Sequence, residues 1–494
     1  KQTMINEIGI IFLQVFTDPL AITLLVFGVL LGIVLGALPG ISSTMSLAVL
    51  LPVSFSMSPE HGMIFLMGVF SASVYGGSIS AILISIPGTP GAIVTQMDGY
   101  PMAKNGRAGE ALTYAVLASG FGGILGWVLL ILLGPLIAAA ALHFRSPDYA
   151  AVTLFGLCML AYATPGSTYK ALVAGVFGLI LATVGLDSLT FIGRLDFGNA
   201  YLQGGISMVP VAVGIFGLAE VLKSIEFGKK KLEVITAINR LFPPWSEIKP
   251  LWPMAIRGAL IGAFVGAIPA AGSAIGVTVS YAQEKRMSKN PEKYGTGIPE
   301  GIVAPESSNN ACVGGALIPL MTLGIPGDSM TAVLVGAMLI HGLRPGPQLF
   351  VERLDFVALI YVALILAIIL TTILALLTIR YIARILDAPK NILMIGITIL
   401  CMVGSYAVRN SIFDVMIMII FGFIGYLMQK IQMPVAPVVF GLVLGPLLEE
   451  NIRRSLIVSA GNWSVFIERP ISLVFILISI LALGLPIFSR SKTQ

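Results

Sequence analysis

Long stretches of this chain carry no charge at all. None of Asp, Glu, Lys or Arg occurs in 19–59, 61–97, 111–144, 197–219, 356–379, 415–429, 431–448 or 470–489. A helix that crosses a bilayer needs about 20 apolar residues, so several of these runs have room for one crossing or two. The strands of an outer-membrane barrel would alternate polar and apolar residues over about ten positions. Runs such as Ile22 to Leu38 and Leu359 to Leu377 do not alternate. Lipid offers the backbone no hydrogen bonds, so a non-alternating apolar run that spans it must be helical. The expected fold class is all-α, a polytopic membrane helical bundle with about 10 to 14 spans. Only 11% of residues are charged, against about 25% in a soluble domain.

The net charge of +5 does not point to nucleic acid, because the basic residues sit in connections between apolar runs. Lys223, Lys229, Lys230, Lys231, Arg240, Lys249 and Arg257 crowd one segment against three glutamates. On the positive-inside rule this central connection is cytoplasmic. The chain then divides into an interfacial lead-in over 1–17, a membrane half over 18–225, the basic connection over 226–249, a second membrane half over 250–489 and a tail over 490–494. Cys158, Cys312 and Cys401 lie in apolar runs at spacings that fit no metal site or disulfide framework, and read as small buried side chains.

The two halves are copies. Gly32-x-x-x-Gly36-Ala37-Leu38-Pro39 recurs as Gly262-x-x-x-Gly266-Ala267-Ile268-Pro269, and Gly76-Gly77 recurs as Gly314-Gly315. Ile86-Pro87-Gly88 recurs as Ile325-Pro326-Gly327, and Pro210 with Gly214 matches Pro437 with Gly441. Duplicated membrane halves with Gly/Pro-interrupted segments at matching positions point to a transporter whose ligand binds at the interruptions. Such repeats are commonly inverted in the membrane, which is the arrangement expected here.

Each half is interrupted twice: at Pro39-Gly40-Ile41-Ser42-Ser43-Thr44 and Pro87-Gly88-Thr89 in the first, and at Pro269-Ala270-Ala271-Gly272-Ser273 and Pro326-Gly327-Asp328-Ser329 in the second. Proline stops a helix and glycine admits left-handed backbone, so a new helix begins with free N–H groups. Ser, Thr and Asp after such a break are natural N-caps, and their oxygens also suit a ligand. A helix start carries about half a positive charge and attracts carboxylates. Pro39, Gly40, Ser42, Ser43, Thr44, Pro87, Gly88, Thr89, Gly272, Ser273, Pro326, Gly327 and Ser329 are therefore the candidate substrate-binding residues. The bland alternative is a set of kinks that shape the bundle.

Asn309 and Asn310 join the candidates because amides both donate and accept; as helix-start residues they would look the same. Asp328, alone in a charge-free stretch from Ser307 to Leu343, is a candidate sodium ligand, with a simple helix cap as its rival. No Lys or Arg accompanies the motifs, so helix ends or a co-bound cation must balance an anionic substrate. Asp98, Tyr100, Lys104, Arg107 and Glu110 are expected to form a solvated polar loop. A channel would more readily show charged rings or a carbonyl filter. An intramembrane enzyme would need paired carboxylates, His-x-x-x-His or a Cys–His pair, and none is present.

The ordered set Gly36-Ala37-Leu38-Pro39-Gly40, Ser85-Ile86-Pro87-Gly88-Thr89-Pro90-Gly91 with Asp98-Gly99-Tyr100-Pro101, Pro305-Glu306-Ser307-Ser308-Asn309-Asn310-Ala311 and Thr322-Leu323-Gly324-Ile325-Pro326-Gly327-Asp328 resembles the large membrane subunit of tripartite tricarboxylate transporters, the TctA type. The resemblance runs from about residue 18 to about residue 485. It implies a multi-pass subunit of the bacterial inner membrane, working with a small membrane subunit and a periplasmic substrate-binding protein. It further implies secondary import of citrate or other di- and tricarboxylates, driven by sodium or protons as coupling ion, with no other cofactor. A homodimer is compatible with the sequence and not required by it.

Overall fold

The computed structural model describes residues 4–163, 167–226, 235, 238, 240–386 and 390–490. After a lead-in helix α1 (Met4–Thr17) come α2 (Pro19–Ala37), α3 (Ser43–Leu50), α4 (Pro59–Ile84), α5 (Thr95–Met102), α6 (Ala108–Ala141), α7 (Ser146–Ala163), α8 (Thr168–Ala182) and α9 (Met208–Glu226). The second half runs α10 (Trp245–Ala267), α11 (Gly272–Met287), α12 (Glu300–Leu323), α13 (Ser329–Ile340), α14 (Leu354–Ile385), α15 (Lys390–Arg409), α16 (Ile412–Lys430), α17 (Ala436–Val458), and α18 (Pro470–Arg490) closes the chain. Among the described residues the only sheet is a short antiparallel ribbon, Gly185–Leu186 with Gly193–Arg194. Most of the basic connection, including Lys229, Lys230 and Lys231, lies outside the described residues.

The helices α2 to α9 and α10 to α17 follow the same order, and they pack reciprocally. Helix α2 lies along α4, and α10 along α12. Helix α6 then packs on α12 of the other half, while α14 packs on α4; likewise α8 meets α17 and α16 meets α9. The halves therefore interlock. The breaks repeat in backbone geometry too: Gly40 (φ 89°) and Ala270 (φ 63°) hold one left-handed position, Ser85 (φ 57°) and Gly324 (φ 72°) the other. Three of these four bends precede a helix start, where Ser42 accepts from Met45 N at 3.1 Å and Asp328 from Thr331 N at 2.8 Å.

Glycine stripes set the spacing of the core. A Cβ on Gly28, Gly32 or Gly36 of α2 would lie 2.4 to 2.9 Å from backbone oxygens of Phe65, Val69 and Ser73 on α4. On α10, Gly258, Gly262 and Gly266 meet Ala304, Ser308 and Cys312 of α12 in the same way. Close approach through small residues is how helices associate where lipid is as apolar as leucine. The result is that α4 from Gly62 to Ile84 and α12 from Gly301 to Thr322 are buried at every position. The three cysteines are buried and unpaired.

By length and composition, eight helices among the described residues can cross a membrane. Pieces such as Ser43–Ser56, Thr168–Ala182 and Ser329–Ile340 lie outside this count because they are apolar but too short for a full crossing. Helix α12 falls out for another reason: protein surrounds it on all sides, so it carries serine, asparagine and glutamate where a lipid-facing helix would carry leucine.

Candidate functional site

All four breaks converge on one cavity of about 210 Å³. Its wall is built from Ser43 and Thr44 at the start of α3, Thr89 and Pro90 after α4, Ala270 to Ala274 at the start of α11, and Asp328 to Met330 at the start of α13. Asn309 enters from α12, Ala436 from the start of α17, and Val74 and Leu160 add apolar surface. Reciprocal packing explains the convergence. Helix α3 contacts α13, and the turn Pro90–Ala92 contacts α11, so the first break of each half meets the second break of the other. The N-termini of α3, α11, α13 and α17 thus face one space with their positive dipole ends.

Of the sequence candidates, Ser43, Thr44, Thr89, Gly272, Ser273, Asn309, Asp328 and Ser329 line this cavity. Pro39, Gly40, Ser42, Pro87, Gly88, Pro326 and Gly327 do not. They make the bends: a Cβ on Gly88 would fall 2.7 Å from Gly36 O, and one on Gly327 would fall 2.6 Å from Ala316 Cα. These glycines admit neighbouring helix backbone. Asn310 lies on a different side of α12, its amide donating to Glu306 O at 3.2 Å. Neither asparagine starts a helix; both sit in the middle of α12, which runs through Pro305 and Pro319 without a break.

Two side chains in the cavity are unsatisfied. Neither amide atom of the buried Asn309 side chain, nor the Thr89 hydroxyl, has a protein partner. Buried polar groups in proteins are overwhelmingly hydrogen-bonded, and an orphan costs about 1–3 kcal/mol. Both line the cavity, where a polar ligand would satisfy them. Gly91, which sequence reasoning passed over, makes the space: a Cβ there would lie 2.0 Å from Asn309 Oδ1 and 2.8 Å from Ser273 Oγ. Asp328 caps α13 through Thr331, whose backbone N and hydroxyl both donate to its Oδ1, at 2.8 and 2.7 Å.

No Lys or Arg lines the cavity. Arg257 is held by Glu284, with Nε donating to Oε1 at 2.6 Å, and Arg107 by Glu110 and Glu247, while Lys104 and Arg344 are exposed. The polar segment from Asp98 to Glu110 is not a solvated loop. Asp98 is fully buried at 0% exposure. It accepts from Tyr281 Oη at 2.9 Å, Gly295 N at 2.9 Å, Gly297 N at 2.9 Å and Ile298 N at 3.1 Å. It ties α5 to the second half's connection between α11 and α12, a long-range role invisible in local polarity.

Comparison with known proteins agrees with this architecture. The profile of the tripartite tricarboxylate transporter TctA family matches residues 22–440. The chain belongs to the TctA family. It is therefore a multi-pass membrane subunit of a transporter and not an enzyme. An uncharacterized 52.8 kDa protein from the TAR-I ttuC' 3' region of Agrobacterium vitis is 38% identical over 458 residues, covering 93% of this chain and 90% of the relative. A second protein from the TAR-II ttuC' 3' region of the same organism is 38% identical over 224 residues, 45% of this chain and 90% of the relative. No solved structure matches. In this TctA-family chain the sequence reading also left Glu306 without a role. The structure buries it completely (0% exposed) among hydroxyls of Ser78, Thr95 and Ser119. Its signal was an acid in a Ser/Asn-rich segment flanked by apolar runs.

Proposed function

We propose that this subunit carries small, citrate-like di- or tricarboxylates across the bacterial inner membrane by alternating access, delivered by a periplasmic binding protein and coupled to a sodium or proton gradient. One observation carries the reading: four helix N-termini and the unpartnered amide of Asn309 face a single cavity that contains no basic side chain. Free N–H groups at positive dipole ends are the chemistry that holds carboxylates. At about 210 Å³ the cavity is smaller than the about 300–1,000 Å³ typical of pockets for drug-sized ligands, which suits a small acid. The test is uptake of a labelled carboxylate panel into vesicles holding this subunit and its small membrane subunit, with the binding protein supplied outside. Saturable uptake of di- or tricarboxylates driven by an imposed sodium or proton gradient is the expected result. Uptake of none, or gradient-independent non-saturating flux, would overturn the reading.

Asp328 supplies negative charge on the cavity wall, in a position to hold a coupling cation beside the substrate. Asparagine caps helices as well as aspartate, so Asp328→Asn separates charge from structure. Its expected result is a weaker apparent cation affinity at unchanged abundance; an unchanged cation titration leaves Asp328 a cap only. The halves are read as inverted in the membrane, since inverted repeats bring matching breaks to a shared midplane site. Cysteines at exposed Ser56 and Lys289, beside Ser58 and Ser288, should then label from opposite sides. Labelling from the same side would refute the inversion.

A further inference from the structure

We propose that Glu306, with the hydroxyls that clasp it, is a seat for one monovalent cation, sodium or a proton, separate from the substrate cavity. Ser78 Oγ donates to Glu306 Oε1 at 2.6 Å, Thr95 Oγ1 donates to the same oxygen, and Ser119 Oγ donates to Oε2 at 3.0 Å. No Lys, Arg or His pairs with this carboxyl among the described residues, and the titratable group that faces it is the phenol of Tyr75. An ionised carboxylate in such surroundings is costly without a counter-charge. Three hydroxyls offset part of that cost and leave the charge itself unbalanced. A bound cation balances it, and hydroxyl and carboxylate oxygens are the ligands that sodium prefers.

A second observation points to a ligand. Ser119 also walls a small chamber of about 10 Å³ with Tyr75, Asn310 and Thr371. That is room for about one water-sized particle. The Tyr75 Oη and Thr371 Oγ1 atoms facing it have no partner, in residues only 1% and 6% exposed. The duplication supplies a third argument. With Gly314 aligned to Gly76, Glu306 corresponds to Gly68, which packs closely on α2. The first half builds the same helix without a carboxylate, so the fold does not require one. Position also suits coupling. Asn309, in the substrate cavity, lies one turn along α12, and Thr95 follows the Thr89 break, so occupancy at Glu306 bears on both walls of that cavity.

This inference rests on the transporter reading, but its test needs no transport. Thermal unfolding of the purified full chain in lipid nanodiscs would be followed without substrate. One arm replaces choline by sodium at fixed pH and ionic strength; the other lowers pH without sodium. A ligand that binds only the folded state raises its Tm. Wild type should respond to sodium, to protons or to both, and the responding arm names the ion. In an Asp328→Asn background, which removes the cation ligand of the substrate cavity, Glu306→Gln, a neutral mimic of the occupied site, should match or exceed its cation-free parent in Tm and respond to neither. Ser119→Ala and Thr371→Ala should fold and lower apparent affinity several-fold. Glu306→Asp, which withdraws the carboxylate by one methylene, should weaken it about tenfold, and serves if the glutamine variant fails to fold. A wild type that responds to neither ion, or variants that respond as wild type does, would overturn the proposal. Carboxylate uptake would stand or fall on its own assay.

Discussion

Asn309→Leu should abolish carboxylate uptake while leaving the protein at least as stable as wild type. The buried amide has two atoms without a protein partner, each a desolvation penalty of about 1–3 kcal/mol that an apolar side chain of similar size removes. The same change deletes a donor and an acceptor from the cavity that the substrate would otherwise satisfy. A site built to hydrogen-bond its ligand loses about 3 kcal/mol or more when those groups are absent, on the order of 100-fold in apparent affinity. Uptake and thermal unfolding, measured on the same preparation, check both halves of the expectation. A leucine variant that transports normally would remove Asn309 from the site, and one that unfolds would make it a structural residue.

The second large effect is on folding. Gly262→Val should prevent recovery of folded protein, because its Cβ position lies 2.0 Å from the carbonyl oxygen of Ser308 and 2.6 Å from its carbon. Those are backbone atoms of α12, which has protein on every side and nowhere to retreat. Overpacking usually costs about 1–3 kcal/mol, and more where neither backbone yields. Gly396→Val on α15, with nothing within 4 Å of the added carbon, is the control and should behave as wild type. Monodispersity after extraction and thermal unfolding read the result. A folded, active Gly262→Val would show that α10 and α12 do not meet as closely as described.

Much of this was legible from residue order. Charge-free runs at bilayer length made the helices, and the repeated Gly/Pro breaks marked where each half is interrupted. Apolar periodicity said less about centrality. The most apolar 18-residue stretch of α14, with a mean hydropathy of 2.9, is less than half buried, whereas that of α4, at 1.6, is buried throughout. Hydropathy reports the match to lipid, and the central helices have no lipid to match. Short helices after the breaks share their apolar runs with the helices before them, so a charge-free run does not by itself count crossings.

What the sequence by itself determined was the class of fold, the duplication and the residues at which helices stop and restart, because proline, glycine and capping hydroxyls act within a few residues. What only the tertiary structure decided was which of those residues share a space. Gly88 and Gly327 pack against backbone of their own halves, whereas the interlocking of the halves brings Thr89 to Ser273 and Asn309 through Gly91 and closes Ser78, Thr95 and Ser119 around Glu306. Those meetings join positions about 180 to 230 residues apart, and no local pattern encodes them. They follow from glycine stripes that let backbones touch, which fixes the register between helices only once both are in place.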